Sequence, residues 1–251
     1  MIRTAFLAGV LFAGGRLAAA ASVEDLLRDA QAAEARLDSA AAAELYLAAD
    51  RMRPDDAFIL QKIARQYSDL VLDQPTPEAK RDYALKALEY SQRATALDPR
   101  NAVNHLSVAI SHGKLAAYSD TATKVRHSRL VKVGAENALA LDPGYAWAHH
   151  ILGRWHHEVA ELSGTARFFV KLFYGGLPPA SKTEAVQHLR RATELEPAET
   201  NHWLELGHAL AAVGETGAAR SAWEKGLGLP SRGKHDEPAK SRARAALEAS
   251  R

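Results

Sequence analysis

The chain has 251 residues, which suffices for one large domain or two small ones. Its 32 Lys and Arg residues nearly balance 30 Asp and Glu residues, so the overall charge does not favour a nucleic-acid partner. There is no cysteine, which excludes a disulfide framework. Abundant alanine, few prolines and the lack of β-branched runs favour an all-α fold.

The first twenty residues differ from the rest of the chain. Arg3 precedes a short apolar run over residues 5–13, and Ala18-Ala19-Ala20 fits an A-x-A cleavage motif. The run is shorter than the roughly 20 residues that span a bilayer. Residues 1–20 are therefore predicted to be a cleaved signal peptide that directs the chain to the periplasm or outside the cell. The alternative is a frayed first helix of a cytoplasmic protein.

From residue 21 to residue 233 the sequence repeats. Helical segments rich in small residues end at similarly placed prolines, which are Pro54, Pro99, Pro143, Pro197 and Pro230. Proline is common just past a helix because it cannot continue the hydrogen-bond ladder. The pattern predicts a right-handed α-solenoid of about five helix pairs, of the tetratricopeptide type.

The last of these units fits the tetratricopeptide pattern directly. Trp203, Gly207, Ala219 and Trp223 follow its order of aromatic and small residues before the closing proline. Gly207 and Ala219 are predicted to let two helices approach closely. Trp203 and Trp223 are predicted to fill the space between pairs.

The three middle units are longer, so their helices are predicted to be lengthened or to carry an added loop. Helix starts are indicated by Thr76-Pro77, by Ser119-Asp120-Thr121 and by a capping box at Ser181-x-x-Glu184. Residues 234–251 are predicted to form a polar capping helix or tail that shields the last unit.

A more specific resemblance lies in the third and fourth units. The third unit ends in the sequence ALALDP at Ala138–Pro143, and the fourth contains AHHILGRW at Ala148–Trp155. An insertion with Leu177-Pro178-Pro179 follows, and the unit ends in ATELEP at Ala192–Pro197. This series resembles the regulator of microtubule dynamics family. The resemblance implies a helical-repeat protein and microtubule association, and one vertebrate branch is linked to membrane contact sites and phospholipid handling. Export would separate this chain from microtubules, so that role is expected only without export.

The first helices of stacked pairs line a concave face, where ligands of repeat proteins bind. Eight candidate binding residues are predicted there: Phe58, Arg65, Trp147, His150, Arg154, His157, Asn201 and His208. The guanidinium of Arg154, flanked by two histidines, could hold a carboxylate or a phosphate. The alternative, which we favour, is that Arg154 pairs with Glu158.

Further histidines recur seven residues apart, as His105 with His112 and His149 with His156. Such spacing could bring two imidazoles together, and histidine is a common metal ligand. No cysteine pair, His-Glu-x-x-His motif or carboxylate cluster completes a site, so neither a metal nor another cofactor is predicted. We interpret these histidines as hydrogen-bonded core residues.

The insertion in the fourth unit is the most aromatic stretch after the N-terminus. Phe168, Phe169, Leu172 and Phe173 could line a lipid-tail cavity or touch a membrane. The interpretation we favour is a lengthened second helix that packs against the next unit. A basic cluster from Lys124 to Lys132 could meet anionic headgroups or an acidic partner, although such runs are usually a solvated helix face.

No Gly-rich phosphate loop, nucleophile elbow or metal motif is present, so the chain is not predicted to be an enzyme. The leading hypothesis is a monomeric binding scaffold that grips a protein or peptide segment on its concave face. The first alternative is phospholipid binding or transfer in a cavity between lengthened helices. The second is microtubule association.

Overall fold

The computed structural model of the chain describes residues 22–250. Over these residues it is all-helical, with a short 3-10 turn at Val71–Asp73. The twelve α-helices are α1 Val23–Ala35, α2 Ser39–Met52, α3 Ala57–Leu70, α4 Pro77–Leu97, α5 Ala102–Ala117, α6 Thr121–Leu141, α7 Ala146–Ala160, α8 Gly164–Tyr174, α9 Lys182–Leu195, α10 Thr200–Ala212, α11 Thr216–Gly228 and α12 Asp236–Ala249. The predicted signal peptide lies outside the described residues.

Ten of the helices form five antiparallel pairs stacked in chain order: α1 with α2, α3 with α4, α5 with α6, α7 with α9, and α10 with α11. The last helix, α12, packs on α10 and α11. The predicted tetratricopeptide-like solenoid with a capping helix is thus confirmed. Two second helices are lengthened, since α4 and α6 have 21 residues each. In the fourth unit the extra sequence instead forms a separate helix, α8. No helix in residues 22–250 meets the length and hydropathy needed to cross a bilayer.

The predicted helix starts are present. Thr76 Oγ1 accepts a hydrogen bond from the amide of Ala79, with Pro77 as the first residue of α4. Asp120 caps α6. The capping box at α9 is only half formed: Ser181 Oγ accepts from the amide of Glu184, but the Glu184 carboxylate lies 3.1 Å from His156 Nδ1.

Small residues set the distance between paired helices. A Cβ added at Gly207 would lie 2.4 Å from Cδ1 of the buried Trp223, and one added at Gly153 would lie 2.7 Å from Leu189 Cγ. Ala219 is fully buried in the same core. The predicted close approach in the last unit is therefore confirmed, and α7 crosses α9 at a similar point.

One hydrogen bond recurs at three of the four turns between pairs. The ring nitrogen Nε2 of His105 lies 2.8 Å from the carbonyl oxygen of Pro99, and that of His149 lies 3.0 Å from the carbonyl oxygen of Pro143. In the last unit Trp203 Nε1 donates to the carbonyl of Pro197 at 2.9 Å. The two histidines thus replace a tryptophan N–H that ties the first helix of a pair to the preceding closing proline.

Candidate functional site

The first helices of successive pairs, α3, α5, α7 and α10, contact one another in order, and α12 continues the series. They bring together a set of charged side chains that we call the charged row: Asp69, Lys114, Arg154, Glu205 and Arg242. The row follows the series of first helices from α3 to α10 and ends on α12.

Arg154 occupies the middle of the charged row. Its Nη2 donates to Glu158 at 2.7 Å, and its Nε lies 3.7 Å from the Glu205 carboxylate. Glu205 also accepts a hydrogen bond from Arg242 at 2.7 Å. The charge of Glu205, followed by that of Glu158, raises the pKa of Arg154 against the opposing effect of burial. The predicted pairing with Glu158 is therefore present, while Arg154 Nε is buried without a hydrogen-bond partner.

Lys114 is the cation of the row that lacks a carboxylate partner within residues 22–250. Its Nζ lies 3.3 Å from His235 Nε2, and that imidazole lies 3.2 Å from the carboxylate of Asp69. Burial lowers the pKa of Lys114 to about 8, with Arg154 adding to the effect and Asp69 opposing it. Within the charged row, Lys114 is thus the least compensated cation.

The chain leading into α12 reaches back to the second helix pair. Lys234 pairs with Asp73 and His235 with Asp69, so that two consecutive residues contact the end of α3 and the 3-10 turn that follows it. We call residues 234–235 the C-terminal latch. Sequence reasoning missed it because the partners are more than 160 positions apart and surface Lys and Asp residues give no pairing signal.

The predicted concave-face residues do not form one site. Phe58 and Arg65 are exposed on α3, and Trp147 packs its ring on His150 and His202. His150 and Asn201 are only 3% and 8% exposed, so the expectation that both line an open groove is wrong.

Contacts between helices cover these two side chains. His150 lies beneath Trp147 and against His202. The Asn201 amide donates to the Glu199 carboxylate at 3.1 Å and to Asp236 of α12. Both positions therefore serve packing between units.

His157 and His208 do lie next to Arg154. Nδ1 of His157 and Nε2 of His208 are buried atoms without hydrogen-bond partners in the described part of the chain. Burial lowers the pKa of His208, and the nearby His157 and Arg154 add to this effect while Glu205 opposes it. Three adjacent side chains therefore each present an unsatisfied nitrogen.

The histidines pair between helices rather than along one helix. His112 Nδ1 lies 2.9 Å from His127 Nδ1, and His149 Nδ1 lies 2.9 Å from His188 Nδ1. The third pair, between His150 and His202, is separated by 3.1 Å. The suggestion that histidines seven residues apart come together is thus wrong. The hydrogen-bonded histidines that we expected are present. Within residues 22–250 no group of three or more His, Asp or Glu is arranged to hold a metal ion.

The aromatic insertion forms α8, which has no buried residue. Phe168, Phe169, Leu172 and Phe173 are 62%, 50%, 61% and 65% exposed. The favoured expectation of a lengthened helix packed on the next unit is therefore wrong.

A cavity of about 310 Å³ lies beside α8, yet none of these four side chains lines it. A second cavity of about 270 Å³ lies between α4, α5 and α6. Either volume lies at or below the lower end of the range for a drug-sized ligand, so neither cavity encloses a two-chain phospholipid.

These features define a tetratricopeptide-like helical-repeat protein. A tetratricopeptide protein of Thermus thermophilus, TTC0263, superposes with a TM-score of 0.68 at 19% identity, covering 90% of this chain and 100% of that one. This likeness shows the fold.

The family described as Regulator of microtubule dynamics protein 1-3 matches residues 26–251, and the chain belongs to it. Regulator of microtubule dynamics protein 3 of Xenopus laevis is 30% identical over 57% of this chain and 31% of its own length. Protein 1 of Bos taurus is 28% identical over 71% of this chain and 57% of its own. The chain thus spans from just under a third to somewhat over half of the length of these curated relatives.

Proposed function

We propose that the chain is a non-enzymatic, monomeric scaffold that binds an acidic segment of a partner protein on its concave face. The observation that carries the proposal is Lys114, a partly buried cation that has no carboxylate within ion-pair distance in residues 22–250. Desolvating a charge is costly unless it is paired. A partner carboxylate beside Lys114 would supply the missing charge and raise the pKa of the amine.

Neighbouring groups support the same chemistry. Arg154 Nε and His157 Nδ1 on α7, and His208 Nε2 on α10, are buried nitrogens without hydrogen-bond partners in the described residues. A segment with two or more carboxylates spaced along it would reach Lys114 and Arg154 together, since charge-assisted hydrogen bonds are the strong ones. Helical-repeat proteins present their concave surface to such extended ligands.

The test uses peptides of alternating Glu and Ser, with Gln-Ser peptides for comparison, and fluorescence anisotropy. Lys114→Met is expected to weaken binding of the Glu peptide by about tenfold or more, the effect of removing one partner from a buried charge pair. The same substitution should keep or raise the melting temperature, because an unpaired buried charge is removed. Lys225→Met, at an exposed position on α11, is the matched control.

A Glu peptide that binds no better than the Gln peptide would contradict an acidic partner. Equal binding by Lys114→Met and the unchanged chain would contradict the assigned role of Lys114.

The names of the relatives refer to microtubule dynamics, and that role would apply here only if the chain stays in the cytoplasm. The composition of residues 1–20 instead supports export to the periplasm or beyond. The mass of the protein recovered from cells distinguishes the two: loss of these residues would support export. An intact N-terminus would make co-pelleting with polymerised tubulin the next experiment.

A further inference from the structure

We propose that α8 is a docking helix for an anionic membrane surface, separate from the concave face. The inference starts from the direction of its apolar side. With about 100° between successive residues, Phe168, Phe169, Leu172 and Phe173 cover a continuous arc of about 140°. In a helix of a globular protein such an arc faces the core. In α8 it faces outward, since all four side chains are at least half exposed.

The protein holds α8 by its ends and leaves this arc uncovered. Arg129 of α6 donates through Nε to the carbonyl of Gly176 at 3.0 Å and also contacts the carbonyl of Tyr174. At the other end Arg167 donates to the carbonyl of Leu162 at 3.0 Å, which secures the end of α7. These contacts use backbone carbonyls, and the inner side of α8, at Ala166, Val170 and Tyr174, is half-buried, so the opposite face is held outward.

The charges around α8 select an anionic occupant. From Leu162 to Thr183 the chain has three basic residues and no Asp or Glu, and the first fifteen residues of α6 have four basic residues and no acid. Arg126 is exposed on α6 three positions before Arg129, whereas Lys132 pairs with Glu136 and Lys182 with Glu161. Arg126 and Lys171 form no ion pair within residues 22–250. An apolar strip with flanking cations is the pattern of helices that lie in the headgroup region of a bilayer.

A membrane fits this surface better than a protein groove partner does. Apolar protein-binding sites are usually pockets that receive a side chain of the partner. The four side chains of α8 instead project into solvent from a helix that contacts α6, as groups that enter another phase do. The length of α8, 11 residues or about 16 Å, suits a helix that lies on the bilayer.

The test exploits the absence of cysteine from the chain. Phe173→Cys in the full-length chain is labelled with an environment-sensitive dye, and Leu85→Cys, at a similarly exposed apolar position on α4, is the control. With vesicles of phosphatidylcholine mixed with phosphatidylglycerol, we expect a blue shift and intensity gain at position 173 and none at 85. Because both proteins share the same N-terminus, insertion of residues 1–20 cannot produce the difference.

Co-sedimentation with the same vesicles measures the partition coefficient of the protein between water and membrane. Phe168→Ser combined with Leu172→Ser should lower the partition coefficient at least about tenfold, because burying one such side chain contributes that order of affinity. Leu85→Ser with Leu97→Ser is the matched control on α4. Arg126→Glu with Lys171→Glu should weaken binding to the anionic vesicles alone, and added salt should diminish this difference.

Two results would overturn the proposal. One is an equal dye response at positions 173 and 85, or no response at either. The other is a dye response at 173 that depends on protein concentration and not on vesicles, which would make a second copy of the chain the occupant. Neither result bears on Lys114, so the docking helix and the peptide-binding face are tested independently.

Discussion

The substitution Gly207→Ala tests whether helix approach in the last unit depends on a missing side chain. The new Cβ would lie 2.4 Å from both Cδ1 and Nε1 of Trp223, whose ring is 2% exposed and has no room to withdraw. Overpacking of this kind costs about 1–3 kcal/mol. Alanine recovers about 0.5–1 kcal/mol of helix propensity, so we expect a net loss of about 1–2 kcal/mol.

For a chain of this size the loss corresponds to a fall of roughly 2–8 °C in melting temperature, measured by circular dichroism. Gly217→Ala is the control, since nothing lies within 4 Å of the position its Cβ would take on the neighbouring helix. That variant should be as stable as the unchanged chain or slightly more so. The explanation from close packing is refuted if Gly207→Ala melts at or above the temperature of Gly217→Ala.

Burial lowers to about 4 the pKa of three core imidazoles, those of His112, His188 and His202. Since an unfolded histidine titrates near 6.5, the unfolded chain takes up protons first, and stability present above about pH 6.5 should be lost progressively towards pH 4, by about 3 kcal/mol at most for each group. An equal urea midpoint at about pH 7 and about pH 5 would exclude this cause. Replacing Lys234 and His235 by Ala removes both contacts of the C-terminal latch, and we expect faster hydrogen exchange near Asp236 and tighter binding of the Glu peptide at Lys114. The loss of stability should be small, because ion pairs near the surface contribute little. Unchanged exchange would show that the latch does not hold this segment. Arg129→Ala should increase proteolytic cleavage in α8 while leaving the melting of the repeats in place, and an unchanged cleavage rate would mean that the carbonyl contacts do not restrain α8.

The stacking of the repeats could be predicted from the sequence because its determinants are local and periodic. Each of these determinants depends on contacts within one unit or one turn, as at the closing prolines, at the caps Thr76 and Asp120, and at Gly207. The candidate site could be predicted only in outline. Burial of His150 depends on where Trp147 points and on a histidine 52 positions further along the chain, which no single-unit pattern contains.

The aromatic insertion shows a different limit. Its hydrophobic residues were expected to be covered, because apolar helices in globular proteins usually are. Helical periodicity gives the arc of α8 but not its direction relative to the core. That direction depends on the anchors at Arg129 and Arg167, and both act through backbone carbonyls, whose positions a sequence does not reveal.

The two proposed surfaces share a property that separates them from the packing residues. Removing the ring of Trp223 or adding a methyl group at Gly207 disturbs the contact that holds a pair together. Removing the exposed side chain of Phe173 or the charge of the partly buried Lys114 is expected to leave the fold intact. Apolar side chains usually lie in the core and charged side chains at the surface. Function is expected at residues that depart from this, such as an exposed phenylalanine or a partly buried lysine. In this chain they are also the positions where loss of binding can be measured in a protein that remains folded.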